Sequence, residues 1–154
     1  MIFSAVRTGD PSLPANENYV HPGDDITFDD TVTNIGNGMD PKTGVFTAPV
    51  SGIYSFSFSA IQKFWAIQND RKIEKFGSIQ VLKGGMVEFY FFDYGEITRY
   101  GFKPISYTWM MSLLQNEKVH LKMDKSSDGQ IEVYNAPKRK NFVWFNGQLL
   151  CASE

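Results

Sequence analysis

Gly52-Ile53-Tyr54-Ser55-Phe56-Ser57-Phe58 alternates large aromatic and small side chains with a period of two. An extended chain points successive side chains to opposite sides, so this is the repeat of a strand with one face in a core and one outside it. Outward from that strand, five residues separate Phe46 from Gly52 and five separate Phe28 from Asn34. Phe145-x-Gly147-x-Leu149 repeats the alternation near the C-terminus. Turn-forming clusters recur at Gly9-Asp10-Pro11, Pro22-Gly23-Asp24, Gly36-Asn37-Gly38, Gly84-Gly85 and Asp128-Gly129, with short β-rich runs between them. Short strands punctuated in this way predict an all-β sandwich or barrel. Strands are predicted at 2–7, 26–33, 44–48, 52–62, 77–83, 86–94, 106–115, 118–124, 130–135 and 142–150. The stretch 64–75 reads as a long connection, and no repeat or linker divides the chain.

A length of 154 residues fits one domain, which buries about two-thirds of its unfolded surface at that size. The hydrophobic share is 42%, but 15% of residues are aromatic, including thirteen Phe and seven Tyr, so few positions supply much burial. A net charge of −2 gives no general attraction to nucleic acid or to an anionic membrane. No apolar run approaches the ~20 residues that span a bilayer. Only Met1-Ile2-Phe3 precedes Ser4 and Arg7, too little for the apolar part of a signal peptide. The sequence thus reads as a mature domain, an excised one or an intracellular product. Its single cysteine, Cys151, forms no internal disulfide; it is either an unpaired thiol or a link between chains.

The strands differ in how many faces they bury. Over 118–124, Val119, Leu121 and Met123 point one way and His120, Lys122 and Asp124 the other, giving one core face and one wet face. Over 86–94, Val87, Phe89 and Phe91 form one set and Met86, Tyr90, Phe92 and Tyr94 the other. Over 106–115, Tyr107, Trp109, Met111 and Leu113 oppose Met110 and Leu114. A sandwich strand turns one face to its own core, so a second apolar face needs a loop or another subunit over it. Tyr90, Phe92, Trp109 and Met111 are the leading candidates for residues at or beside such a subunit interface.

The ladder Phe28, Asn34, Phe46, Gly52, Tyr54, Phe56, Phe58, closed by Phe145-x-Gly147-x-Leu149, resembles the globular head domain of the complement C1q family. The family pattern has an aromatic or Leu where this chain has Met39, and usually Gly-Asp where Asn116-Glu117 stand. The resemblance covers almost the whole chain, from an opening strand Ile2-Phe3-Ser4-Ala5-Val6-Arg7 to a closing one at 145–150. It implies a single C1q-like domain over 1–154: a ten-stranded, TNF-like jelly-roll β-sandwich of two antiparallel sheets, assembled as a homotrimer. Tumour-necrosis-factor cytokines share that architecture without this aromatic spacing. The implied role is non-enzymatic and secreted. It is complement-like pattern recognition in innate immunity, with macromolecular or microbial-surface ligands bound through loops. A C1q/TNF-type signalling ligand for a host receptor and an intracellular caprin-like assembly module are the alternatives.

No catalytic grouping emerges. His21 precedes Pro22 in a turn and His120 lies on a polar strand face, without ligand-spaced partners for zinc. Ser55, Ser57 and Ser59 share the face opposite the aromatics, as small packing residues or as a hydroxyl row. The resemblance implies calcium near the threefold axis. Asp93 matches one family carboxylate and Gly85 stands at the other, so the site is expected to be weak, with Glu88 and Glu96 nearby. Alternatively, Asp93 solvates a strand end. Asp24, Asp25, Asp29 and Asp30 read as a solvated edge. The basic run Lys138-Arg139-Lys140 follows Pro137 before the last strand. Repeated in a trimer, it is the candidate contact for anionic ligands such as lipopolysaccharide or acidic glycans.

Overall fold

The aromatic strand runs through the middle of the larger sheet, and its register organises the rest. A computed structural model describes residues 1–10, 12–64, 73–97, 101–136, 139–141 and 143–153, giving the backbone alone along 15–16, 73–75, 95–97, 134–136 and 139–141. In chain order the elements are β1 (Ile2–Arg7), a one-turn helix α1 (Ala15–Asn18), β2 (Asp30–Ile35), β3 (Met39–Asp40), β4 (Val45–Thr47) and β5 (Gly52–Phe64). They continue as β6 (Ile73–Lys83), β7 (Met86–Ile97), β8 (Gly101–Leu113), β9 (Lys118–Met123), β10 (Gln130–Glu132), β11 (Tyr134–Ala136), β12 (Arg139–Asn141) and β13 (Val143–Ala152). The first sheet runs β2-β1-β13-β5-β8, with β10 pairing the far end of β5 beyond β13. The second sheet runs β3-β4-β9-β6-β7, and β11 and β12 form a separate ribbon. Pairing is antiparallel throughout. The result is the expected two-sheet jelly-roll sandwich.

Burial follows the predicted parity. Gly52, Tyr54, Phe56 and Phe58 face the core while Ser55, Ser57 and Ser59 face outward. Val119, Leu121 and Met123 come from the opposite sheet. Phe56 lies within 5.6–6.4 Å, centroid to centroid, of Phe3, Phe46, Tyr54, Trp109 and Phe145. Offset and edge-on contacts of this kind favour burial beyond their area. Two glycines of the ladder are required by closeness. A Cβ on Gly147 would lie 2.3 Å from Phe3 Cε1 and 2.9 Å from Phe56 Cδ1. One on Gly52 would lie 2.4 Å from the Cys151 carbonyl oxygen. Asn34 closes the turn before β3: its amide donates to the Met39 carbonyl at 2.9 Å and accepts from the Met39 N–H at 3.3 Å. Met39 itself is buried in the core, so an unbranched thioether fills the space.

Several boundaries differ from the sequence reading, among them β7, which runs on to Ile97, and β8, which begins at Gly101, five residues before the predicted start. The segment 26–33 alternates in burial, with Ile26 and Phe28 inside, yet the strand there is Asp30–Ile35. Ile26 donates to Leu121 and Phe28 to Pro41, so the segment crosses between partners instead of running along one. The supposed connection 64–75 shrinks, because β5 continues to Phe64 and β6 begins at Ile73; Trp65 and Ile67 lie outside the described residues. Finally, the predicted strand 130–135 is divided between β10 and β11, which belong to different sheets, and β3 and β12 add two short segments.

Truncating the hub of the ring cluster should be severe. Phe56→Ala is expected to lower unfolding free energy by about 3–5 kcal/mol, measured by denaturant titration of the folded domain.

Candidate functional site

The two sheets meet at one side through their last strands, β7 and β8, which are not paired by backbone hydrogen bonds among the described residues. Side chains alone close this seam. Phe89 meets Trp109 edge-on at 6.1 Å, and Phe91 stacks flat on Tyr107 at 4.5 Å. Asp93 Oδ1 accepts from Lys103 Nζ at 2.6 Å. The odd-numbered residues of both strands make these contacts, and the even-numbered ones face out. On β7, Met86 is 75% exposed, Phe92 63% and Tyr90 45%. On β8, Phe102, Met110 and Leu114, the residue after the strand, are exposed.

This parity splits the four residues proposed as an interface. Tyr90 and Phe92 are on the surface, stacked on each other at 5.7 Å. Trp109 and Met111 are only 8% and 7% exposed and belong to the chain's own core. They back the seam and do not front it, because β8 turns its odd residues inward from Ile105 to Leu113. The sequence presents apolar residues on both faces, and alternation alone does not say which set is inside.

The Asp93 carboxylate is largely enclosed. Its Oδ2 is buried without a hydrogen-bond partner among the described residues, and Lys103 also reaches the Tyr94 carbonyl at 3.5 Å. Burial, reinforced by the neighbouring Asp93 charge, pushes the Tyr107 hydroxyl up to about 12. Lys103 had no motif to announce it; only the fold brings it to Asp93. Glu88 turns instead to Lys83 at 4.0 Å, and Glu96 has its side chain outside the described residues. Among the described residues no three His, Cys, Asp or Glu side chains gather as a metal site.

The other acidic residues serve the loops. Asp29 accepts from the Thr8 and Gly9 N–H groups at 2.7 and 2.9 Å, Asp24 from His21 N–H at 3.0 Å, and Asp30 from Thr31 N–H at 2.8 Å. Asp25 sits 3.5 Å from His120 Nε2. Cys151 is exposed near the end of β13. Of the basic run, Arg139 and Lys140 have their backbone in β12, paired with Ala136 and Asn135, while Lys138 lies outside the described residues. Among the described residues this part of the chain is a two-stranded ribbon separate from both sheets.

The outer face of the first sheet differs in character. Ile2, Ser4, Thr33, Ser55, Ser57, Asn146 and Gln148 line a shallow depression containing no charged side chain. Asn146 accepts from Ser4 and donates to Ser57 at 3.3 Å, so the amides and hydroxyls there already satisfy one another in part.

Comparison with known proteins agrees with this architecture. The sequence model of the C1q domain family matches residues 2–150. Among solved structures, the globular domain of zebrafish complement 1qA protein is similar at a TM-score of 0.65 and 21% identity, covering 99% of this chain and 98% of that one. The likeness to that structure is one of fold.

Tyr107 offers a spectroscopic check on the seam. Its folded pKa, about 12, lies above the ordinary value of 10.0. The neutral phenol is thus favoured by folding, and the associated stability is complete below pH ~10 and lost as pH rises toward ~12. Absorbance titration should reveal a late-ionising tyrosine. Asp93→Asn should bring it partway down, the remainder reflecting burial.

Proposed function

The chain belongs to the C1q domain family, and on that premise we propose that it is a homotrimeric recognition head. Each copy sets its β7–β8 edge on the outer face of the first sheet of the next. Domains of this family are non-enzymatic, generally trimeric, ligand-binding and typically secreted. The observation that carries the assembly is the row Met86, Tyr90 and Phe92 on the last strand of a sheet.

Soluble proteins protect open strand edges with charge, proline or short length. Here β7 is twelve residues long, and Glu88 is the only charged residue between Met86 and Phe92. An exposed aromatic edge of that length calls for a cover. The depression lined by Ser4, Ser55, Ser57 and Asn146 is a fitting one: its side chains are short and uncharged, so a ring can approach without stripping water from an ion. Edge and face are different surfaces, so the contact is head-to-tail and must close into a ring. Three is the closure this family generally uses.

The ligand reading rests on the basic run. A ribbon outside both sheets holds Arg139 and Lys140, and a trimer would present Lys138, Arg139 and Lys140 three times. Single exposed cations bind weakly, whereas a rigid platform repeating them gains through avidity. Lipopolysaccharide and acidic glycans, the polyanions of microbial surfaces, are the ligand class this suits, in pattern recognition of an innate-immune kind.

Light scattering should return three times the 17.5 kDa chain mass at micromolar concentration. Phe92→Asp should give a folded protein of lower mass, since the charge would enter an apolar contact. A monomeric wild type would sink the assembly reading. Binding to lipopolysaccharide should weaken as salt rises, the Debye length being ~8 Å at physiological ionic strength. The triple change Lys138→Ser, Arg139→Ser, Lys140→Ser should abolish it with the mass unchanged. Salt-insensitive binding, or binding kept by the triple variant, would remove the ribbon from the ligand site.

A further inference from the structure

We infer that Lys103 is an internal replacement for a metal ion at the seam: its ammonium neutralises Asp93, and the domain is indifferent to calcium. The Nζ–Oδ1 distance of 2.6 Å is that of a charge-assisted hydrogen bond, and Asp93 has only 18% of its side chain exposed. The pair joins the last strand of one sheet to the last strand of the other, where no backbone pairing helps.

Calcium does not fit this environment. It takes six to eight oxygens, several of them anionic. At this seam Asp93 has one oxygen engaged by an ammonium and one buried oxygen, Oδ2, left over. Gly85 supplies no carboxylate, and Glu88 pairs with Lys83. A divalent ion brought to Oδ2 would also meet the repulsion of Lys103 a few ångströms away. One carboxylate shared with a fixed cation does not make a calcium site. The contact lies within a single protomer, so the inference stands apart from the number of copies.

The test is thermal melting of the purified domain in calcium and in EDTA, with light scattering in both buffers. Wild type should melt at the same temperature in each and keep its mass. Lys103→Met, which retains much of the aliphatic stem, should melt about 3–10 °C lower in both, because a part-buried carboxylate loses its partner. Lys103→Arg should recover most of that loss. The double change Asp93→Asn, Lys103→Met should recover part of it, since no orphaned charge remains. A wild type that melts lower in EDTA, with the difference removed by Asp93→Asn, would overturn the inference. So would a double variant melting no higher than Lys103→Met. A monomeric mass in both buffers would count against the trimer alone and leave this comparison intact.

Discussion

The ring of Phe56 holds contacts that the rest of the sandwich depends on. It receives Phe3 from β1, Phe46 from β4, Trp109 from β8 and Phe145 from β13, besides its own neighbour Tyr54. Four strands distant in sequence are fixed in depth by one side chain. The glycine at 147 exists to let those rings approach, because any Cβ there would collide with Phe3 and Phe56. Dense aromatic packing also explains how a domain with a single cysteine, and hence no internal disulfide, fills its core.

That core is closed at its centre and only loosely closed at one side. Where β7 meets β8, ladder hydrogen bonds give way, among the described residues, to three ring contacts and one ion pair. The same strands turn uncovered aromatics outward. In the proposed trimer the weakest border of the protomer is therefore the border that a neighbour covers. In that proposal recognition falls to segments outside the sheets, which can change without disturbing the rings.

The alternation of Tyr54, Phe56 and Phe58, and of Val119, Leu121 and Met123, made the two inner faces legible from sequence, because each strand has one polar side. Where both sides are apolar, alternation is silent: it offers Trp109 and Met111 alongside Tyr90 and Phe92 at or beside an interface, and only the fold shows the first two to lie in the core. Ile26 and Phe28 mislead for another reason. Buried residues two apart look like a strand whether or not their backbone follows one partner, and here it does not. The extension of β5 to Phe64 keeps the buried parity of 60, 62 and 64, but Gln62, polar and buried, interrupts the apolar pattern that would have shown it. Asp93 stood out as a carboxylate, but its meaning lay in Lys103, ten residues away on a different sheet.

β13 lies between β1 and β5, so a strand near the C-terminus forms the middle of the larger sheet. On the ribosome, residues 2–7 and 52–64 emerge long before their shared neighbour at 143–152. Until then the sheet exists as two halves with open inner edges, each a template for pairing with another nascent chain. Closing a loop that spans nearly the whole sequence is entropically slow, although its cost grows only logarithmically with length. Completion of the larger sheet therefore waits for residues 143–152, and until they arrive the inner edges of β1 and β5 are exposed to mispairing.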